Sequence, residues 1–148
     1  WEIRYYRELF DIEINDSIKN KICINYLEGL EWNLKYYLNG CPDWRWTYKY
    51  NYPPLLSDLF NYVPFFNGDI LNINNNLPVN EYTQLSYVLP RNSLELLPKN
   101  IFEKIVLKYE KRFKLNYDIK WSFCRYFWES HVVLPEIDIE ELEKIILN

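Results

Sequence analysis

The stretch of sequence that decides the fold reads YLEGLEWNLKYYLNGCPDWRWTYKYNYPP and occupies residues 26–54. Its first half continues a repeat of large apolar side chains at every fourth position, namely Ile22, Tyr26, Leu30, Leu34 and Leu38. This spacing predicts one broad apolar stripe along a helix of about five turns. Ser17 is a candidate N-cap, with the chain helical by Lys19. Gly40 and Pro42 predict the end of the helix, because glycine adopts the left-handed stop and proline cannot continue a helix.

The second half of the stretch, residues 41–54, is aromatic and alternates with a period of two. The alternation places Trp44, Trp46, Tyr48, Tyr50 and Tyr52 on one side, and Asp43, Arg45, Thr47, Lys49 and Asn51 on the other. Part of this segment is therefore predicted to be extended. Two interpretations of the aromatic side stay open. It suits a platform on which unpaired bases stack, and it equally suits packing against the helices, with the tyrosine hydroxyls bonded to backbone.

The rest of the chain predicts a mainly α, irregular helical domain with an aromatic, proline-rich loop and at most a short β-hairpin. Further helical segments are predicted at residues 1–10, 55–62, 81–89, 93–97, 101–109 and 139–147. Asn100 is the candidate cap of the segment that begins at residue 101. Residues 67–80 contain Gly, Pro and an Asn-rich tract and predict a loop. Residues 113–131 alternate polar and aromatic residues, which is typical of a short hairpin.

Composition sets the class of the chain. Its 148 residues are 49% hydrophobic and 19% aromatic, which fits one folded domain, residues 1–148, with a real core. The chain starts with Trp1 and contains no Met, so we expect a fragment of a longer protein. The net charge of −4 argues against a free-standing nucleic-acid binder, which usually carries a basic surplus. No apolar run approaches the about 20 residues of a membrane span, so no membrane contact is predicted.

The sequence shows no candidate catalytic or metal-binding residue. The single histidine, His131, lies in an apolar run, where a packed or surface role is the commoner one. The acidic cluster Glu140, Glu141 and Glu143 falls at a predicted helix start, where a solvated face explains it. The three cysteines, Cys23, Cys41 and Cys124, form no C-x-x-C pair. Their spacing argues against a disulfide framework or zinc site and favours an intracellular, cytoplasmic or nuclear, location.

Three blocks of sequence resemble, in order, the second conserved region of the XRN family of 5′→3′ exoribonucleases. The first block, residues 26–59, resembles the family pattern Y-x-E-G-L-x-W-V-L-x-Y-Y-Y-x-G-C-P-S-W-x-W-Y-Y-P-Y-H-Y-A-P followed by S-D. The matching positions are Glu28, Gly29, Leu30, Trp32, Tyr36, Tyr37, Gly40, Cys41, Pro42, Trp44, Trp46, Tyr48, Tyr50, Tyr52, Pro54, Ser57 and Asp58. Two later segments, QLSYVLPRNSLELLP and WESHVVLPEID, resemble E-Q-L-x-x-V-L-P-x-x-S-x-x-L-L-P and W-E-x-x-x-L-L-P-F-I-D.

The resemblance implies a helical region that packs on a catalytic N-terminal region of the same chain and closes its pocket for single-stranded RNA with a 5′ monophosphate. The catalytic carboxylates and Mg²⁺ are expected in that other region, so this segment alone is not expected to cut RNA or to hold a cofactor. Trp44 and Trp46 match the family's W-x-W block, from which a Trp stacks on a base at the 5′ end. We expect RNA degradation, including mRNA decay, as the role of the parent protein.

Other residues of the first block divide into two groups. Further candidates for RNA contact or pocket lining are Arg45, Tyr48, Lys49 and Tyr50. Arg45 and Lys49 lie opposite the Trp side in the alternation, so solvated surface is an equal interpretation for them. Structural roles across the junction of helix and loop are expected for Tyr26, Glu28 and Asp58.

Several positions depart from the family pattern. Lys49, Asn51 and Pro53 stand for Pro, His and Ala, and Glu136 stands for Phe. Thr47 replaces an aromatic residue, and Leu38 stands where a third Tyr is usual. These departures indicate a divergent member. They leave a second hypothesis, in which the segment is a non-catalytic RNA-binding or scaffold module of an inactivated XRN-like protein.

Overall fold

The computed structural model describes residues 1–65, 68–74, 76–113 and 116–148. The α-helices are α1 Glu2–Phe10, α2 Asp16–Asn39, α3 Leu56–Asn61, α4 Glu81–Val88, α5 Lys99–Lys108 and α6 Ile139–Leu147. Two short 3₁₀ helices cover Arg91–Leu96 and Phe127–Glu129, and the strands are β1 Asp118–Lys120 and β2 His131–Val133. The predicted mainly α fold class with a short β-hairpin is confirmed.

The chain forms two compact units, Trp1–Pro78 and Val79–Asn148, and each is described by itself. The interpretation of residues 1–148 as a single domain stays a prediction. Of the predicted loop at residues 67–80, positions 67 and 75 lie outside the described residues, and the described part carries neither helix nor strand. No helix in the described part of the chain is both long enough and apolar enough to cross a bilayer.

The first unit is built around the N-terminal half of α2. Its buried apolar side chains include Tyr6 and Leu9 from α1, and Ile22 and Cys23 from α2. The carboxylate of Asp58 on α3 ties the three helices together, because it accepts a 2.6 Å bond from the Tyr6 hydroxyl and lies 2.8 Å from the Lys19 ammonium. Asp58 therefore has the structural role expected of it.

The predicted Ser17 cap of α2 is wrong, because the N-cap lies two residues earlier. Asn15 is the N-cap, and its side-chain oxygen accepts a 2.9 Å bond from the Ile18 amide. An asparagine caps as well as a serine. The predicted end is confirmed, since Gly40 follows the helix with a φ of 87°, in the region that favours glycine.

The predicted apolar stripe of α2 is buried only at its start. Ile22 is fully buried, whereas Leu30, Leu34 and Leu38 are 49%, 60% and 70% exposed. The stripe is therefore a real feature of the helix face, but within this chain its C-terminal half remains on the surface.

The second unit has a core of aliphatic and aromatic side chains. Its buried members are Leu94, Leu97, Ile101, Ile105, Phe113, Ile137 and Leu142. Helix α5 begins at Lys99 behind Pro98 and has no side-chain cap, so the predicted Asn100 cap is wrong. Pro98 itself occupies the N-cap position, and its carbonyl accepts 2.9 Å bonds from the Ile101 and Phe102 amides. Asp138 caps α6 by accepting bonds from the Glu140 and Glu141 amides.

The hairpin of the second unit pairs β1 and β2 antiparallel, with Asp118 opposite Val133 and Lys120 opposite His131. The strands are joined by residues 121–130, which include the second 3₁₀ helix. His131 lies exposed at the start of β2, in agreement with a surface role.

Candidate nucleic-acid interface

The aromatic segment, residues 41–54, is a series of turns and bends rather than a strand. From Trp46 to Tyr52 the even-numbered side chains are half-buried, and the intervening ones are exposed, so the predicted alternation of burial holds there. It fails at the start of the segment, where Asp43 is 4% exposed and Trp44 is 59% exposed. That part of the segment is extended stays a prediction, whereas Trp44 does not share the half-buried side of Trp46.

The reversal at the start of the segment has its cause in Asp43. One carboxylate oxygen accepts a 2.8 Å bond from the Arg45 amide, and the other accepts a 3.2 Å bond from the Asn74 amide. The Asp43 carbonyl accepts a 2.9 Å bond from the Trp32 indole nitrogen. A short side chain that bonds backbone two residues ahead makes a tight turn, and this turn directs the Trp44 indole outward.

Trp46 packs on helix α2 instead of facing solvent. Its ring stacks on Trp32 with 6.3 Å between centroids, and Trp32 stacks on Tyr36 at 5.4 Å with an angle of 7° between planes. A Cβ added at Gly29 would lie 2.7 Å from the Trp46 Cη2 atom. Gly29 is thus required for the close approach of this indole, and Trp46 has a packing role within the stack.

Tyr48 and Tyr50 pack against aromatic side chains of α2 and α1. The Tyr48 ring meets Tyr26 edge-on at 5.7 Å and Tyr50 at 5.6 Å, and Tyr50 lies 6.0 Å from the Phe10 ring. The Tyr48 hydroxyl donates a 2.7 Å bond to the Tyr52 carbonyl. Burial raises the pKa of Tyr48 well above its ordinary value. These contacts are those of packed side chains, and Tyr26 has the structural role expected of it.

A polar cleft of about 310 Å³ opens beside Trp46. Its lining residues are Glu28, Asp43, Arg45, Trp46, Thr47, Lys49, Asn72, Asn74 and Asn76. The cleft therefore brings Arg45 and Lys49 to the same place as Trp46, although the alternation put them on opposite sides.

The Asn-rich loop is tied to the helix and the aromatic segment at several points. Glu31 on α2 accepts bonds of 2.7 and 3.1 Å from the Ile70 and Leu71 amides. The Arg45 Nε atom donates a 2.9 Å bond to the Leu77 carbonyl. The Lys49 amide donates a 2.9 Å bond to Asn25, whose amide nitrogen donates a 2.7 Å bond to Glu28. Glu28 thus supports the junction of helix and loop, as expected, and also lines the cleft.

Sequence reasoning missed several residues that build this surface. The alternation placed Asp43 on the side opposite the aromatic residues, and the asparagines of the loop were interpreted only as loop formers. Asp43 did carry a local turn signal, because an Asp side chain readily bonds the backbone two residues ahead. The long-range contact with the loop has no local signal. The Trp32–Tyr36 stack does have a local signal, since residues four apart on a helix are neighbours.

The described residues also bear on metal chemistry. Within residues 1–65, 68–74, 76–113 and 116–148, no three His, Cys, Asp or Glu side chains are grouped as a metal ion would require. What the arrangement offers is an exposed indole, two cations and a set of amides beside a neutral cleft.

Comparison with known proteins identifies the family. A family model described as the Xrn1 helical domain matches residues 1–147. The chain is 32% identical over 147 residues to the 5′-3′ exoribonuclease 2 homolog of Caenorhabditis briggsae, covering 96% of this chain and 15% of that protein. It is 31% identical over 145 residues to 5′-3′ exoribonuclease 2 of Emericella nidulans, covering 94% of this chain and 14% of that protein.

A vertebrate relative gives the same result. The chain is 30% identical over 147 residues to 5′-3′ exoribonuclease 2 of Gallus gallus, covering 96% of this chain and 15% of that protein. The chain thus spans about one-seventh of the length of these curated relatives. The resemblance expected from the three sequence blocks is confirmed, and the chain belongs to the Xrn1 helical domain family.

Proposed function

We propose that this chain is the substrate-side helical domain of a 5′→3′ exoribonuclease that acts on single-stranded RNA with a 5′ monophosphate. In this role the domain packs on a catalytic region of the same protein and stacks a base near the 5′ end. Mg²⁺ and the carboxylates that hold it belong to the catalytic region, and the parent acts in RNA degradation inside the cell.

The observation that carries the proposal is the presentation of Trp44. Its indole is 59% exposed, yet the turn beneath it is fixed by the buried Asp43 carboxylate. An exposed, rigidly supported indole is a stacking platform that loses little freedom when a base binds. Because every base has a flat face, stacking of roughly 1–3 kcal/mol per base needs no sequence match. A nuclease that moves along a strand needs this tolerance.

The two tryptophans of the W-x-W block therefore take different roles in the proposal. Trp44 is the stacking residue, and Trp46 is a positioning residue that packs between Gly29 and Trp32. Arg45, which follows Trp44 in the chain, and Lys49 both line the cleft beside Trp46.

The exposed half of α2 supports packing on another region of the parent. Leu30, Leu34, Tyr37 and Leu38 are 49%, 60%, 83% and 70% exposed and lie on the C-terminal half of the helix. An apolar surface of this kind marks an interaction site. A catalytic region of the same chain is the occupant that the proposed function requires.

The test is a nuclease assay on the full-length parent with two matched single-stranded RNAs, one with a 5′ monophosphate and one with a 5′ hydroxyl. We expect rapid, Mg²⁺-dependent decay of the phosphorylated strand and slow decay of the other. Equal decay of both strands would contradict the 5′-end selectivity. The absence of decay with both strands would favour the second hypothesis, a binding or scaffold module that has kept the fold without the chemistry.

A further inference from the structure

The cleft beside Trp46 is balanced in formal charge. Arg45 and Lys49 supply two positive charges, and Glu28 and Asp43 supply two negative ones. A phosphate group would be attracted by the first pair and repelled by the second, so the cleft offers it no net field. An uncharged group that both donates and accepts hydrogen bonds meets no such opposition. A hydroxyl group has this property.

The lining of the cleft supplies the matching partners. Asn72, Asn74 and Asn76 each carry a side-chain amide with both a donor and an acceptor, and the Glu28 carboxylate accepts only. One Glu28 oxygen already accepts a bond from Asn25, which fixes the carboxylate in place. A carboxylate repels phosphate but forms a charge-assisted bond with a hydroxyl donor.

The backbone of two of these asparagines is held within the first unit. The Asn74 backbone amide donates to Asp43 at 3.2 Å, and the Asn76 backbone amide donates to the Asn74 carbonyl at 2.8 Å. The loop is fastened again where Arg45 donates to the Leu77 carbonyl. The Asp43 carboxylate also forms the turn beneath Trp44. The same side chain therefore fixes both that turn and the loop that carries the asparagines. A ligand that stacks on Trp44 would thus present its adjoining sugar to a preformed polar wall.

We propose that this cleft receives the ribose of a nucleotide next to the base stacked on Trp44, and that Glu28 and Asn74 bond its 2′-hydroxyl. The inference rests on the proposed function, because it needs a strand stacked on Trp44. Its consequence is selectivity for RNA over DNA. The 2′-hydroxyl is the group by which a protein distinguishes the two, and a site built to bond a hydroxyl discriminates strongly against an analogue that lacks it.

The experiment measures binding by the full-length parent in EDTA, which prevents cleavage. Fluorescence anisotropy compares a 5′-phosphorylated single-stranded RNA with the DNA of the same sequence. We expect Glu28→Gln to weaken RNA binding roughly tenfold, as the loss of one charge-assisted bond predicts, with DNA binding unchanged. Asn74→Ala should act in the same direction, by a smaller factor. Asn20→Ala, an exposed asparagine on the first turns of α2, is the matched control and should change neither.

Trp44→Ala separates this inference from the proposed function. If the platform exists, Trp44→Ala weakens RNA and DNA binding alike, because both have bases. No effect of Trp44→Ala on either strand would sink the proposed function together with the inference. If Trp44→Ala weakens both strands while Glu28→Gln and Asn74→Ala also weaken both equally, or change neither, the ribose assignment alone is overturned.

Thermal melting of each variant shows whether a loss of affinity comes from destabilisation of the fold. Glu28 also bonds Asn25, so the Glu28→Gln result counts only if this variant has the melting temperature of the wild type. If it does not, the Asn74→Ala result decides. A last substrate set carries one 2′-deoxy nucleotide at successive positions from the 5′ end of the RNA. We expect one position to account for most of the loss in affinity, and an even loss at all positions would contradict the proposal.

Discussion

At the scale of single residues, Gly29 determines where Trp46 lies. Replacing Gly29 with Ala should raise helix propensity by about 1 kcal/mol, but the new Cβ would lie 2.7 Å from the indole. Trp46 is held by the Trp32 stack, so we expect the variant to be destabilised overall and its tryptophan fluorescence to shift. Chemical denaturation of Gly29→Ala checks this. The control is Asn20→Ala, which also raises helix propensity but lies at an exposed position of α2. A Gly29→Ala variant as stable as Asn20→Ala would show that Trp46 moves aside freely.

Cys23 is a second residue whose surroundings predict a measurement. Burial, reinforced by the nearby Asp58 carboxylate, raises the pKa of the Cys23 thiol from 9.0 to about 11. Because the folded pKa is the higher one, the contribution of this thiol to stability is complete below pH 9 and is lost as the pH rises through 11. At pH 8 we expect iodoacetamide to alkylate the partly exposed Cys41 and Cys124 well before Cys23. Peptide mapping by mass spectrometry would contradict the burial if Cys23 reacted as fast as Cys41.

The residue scale is also where sequence reasoning reached its limit. The alternation correctly predicted half-burial from Trp46 to Tyr52, because period-two burial needs only local backbone geometry. It treated Trp44 and Trp46 as equivalent, because the turn that separates them depends on bonds from Asp43 to Asn74, which lies 31 residues away. A long-range bond of this kind leaves no periodic trace in the sequence.

At the scale of elements, the Asp58 carboxylate joins α1, α2 and α3. Asp58→Ala removes the partner of the Tyr6 hydroxyl and leaves the Lys19 ammonium, whose side chain is 19% exposed, without its counter-charge. Breaking a largely buried pair by removing one partner costs about 3–5 kcal/mol, so we expect a loss of folding free energy near the lower end of this range.

The control for Asp58 is the surface pair of Lys108 and Glu141, whose side chains are 51% and 50% exposed. Lys108→Ala should cost less than about 1 kcal/mol, because solvent screens exposed pairs. Urea denaturation of both variants gives the comparison. Similar small losses in the two would show that the Asp58 junction does not hold the helices together.

The elements were predictable where proline or an acidic cap marks their ends. Helix α6 has the predicted bounds, since Asp138 caps it directly before the apolar repeat. Helix α4 ends at Val88, two residues before Pro90, as proline requires. The starts of α2 and α5 were misplaced by two residues. The cap of α2 is Asn15 instead of Ser17, and α5 begins behind Pro98 without a side-chain cap.

At the scale of the whole molecule, the exposed face of α2 is the surface that the proposed function covers with another region of the parent. Leu34→Glu on the isolated chain should raise its soluble yield, because it interrupts an exposed apolar stripe. In the full-length parent the same change should lower the melting temperature, since the proposed function covers Leu34 with the catalytic region. An unchanged melting temperature of the parent would contradict that packing.

The most direct test of the account is the affinity of the full-length parent for a 5′-phosphorylated single-stranded RNA, measured in EDTA for Trp44→Ala, Trp44→Phe and Phe60→Ala. Loss of one stacked base, worth roughly 1–3 kcal/mol, predicts a dissociation constant about 5 to 150 times larger for Trp44→Ala. Trp44→Phe keeps a flat ring and should recover most of the affinity. Phe60→Ala removes an aromatic ring that is 80% exposed on α3, outside both the cleft and the exposed face of α2, and should leave the affinity unchanged. Equal affinities for the wild type and Trp44→Ala would contradict the stacking role from which the proposed function is argued.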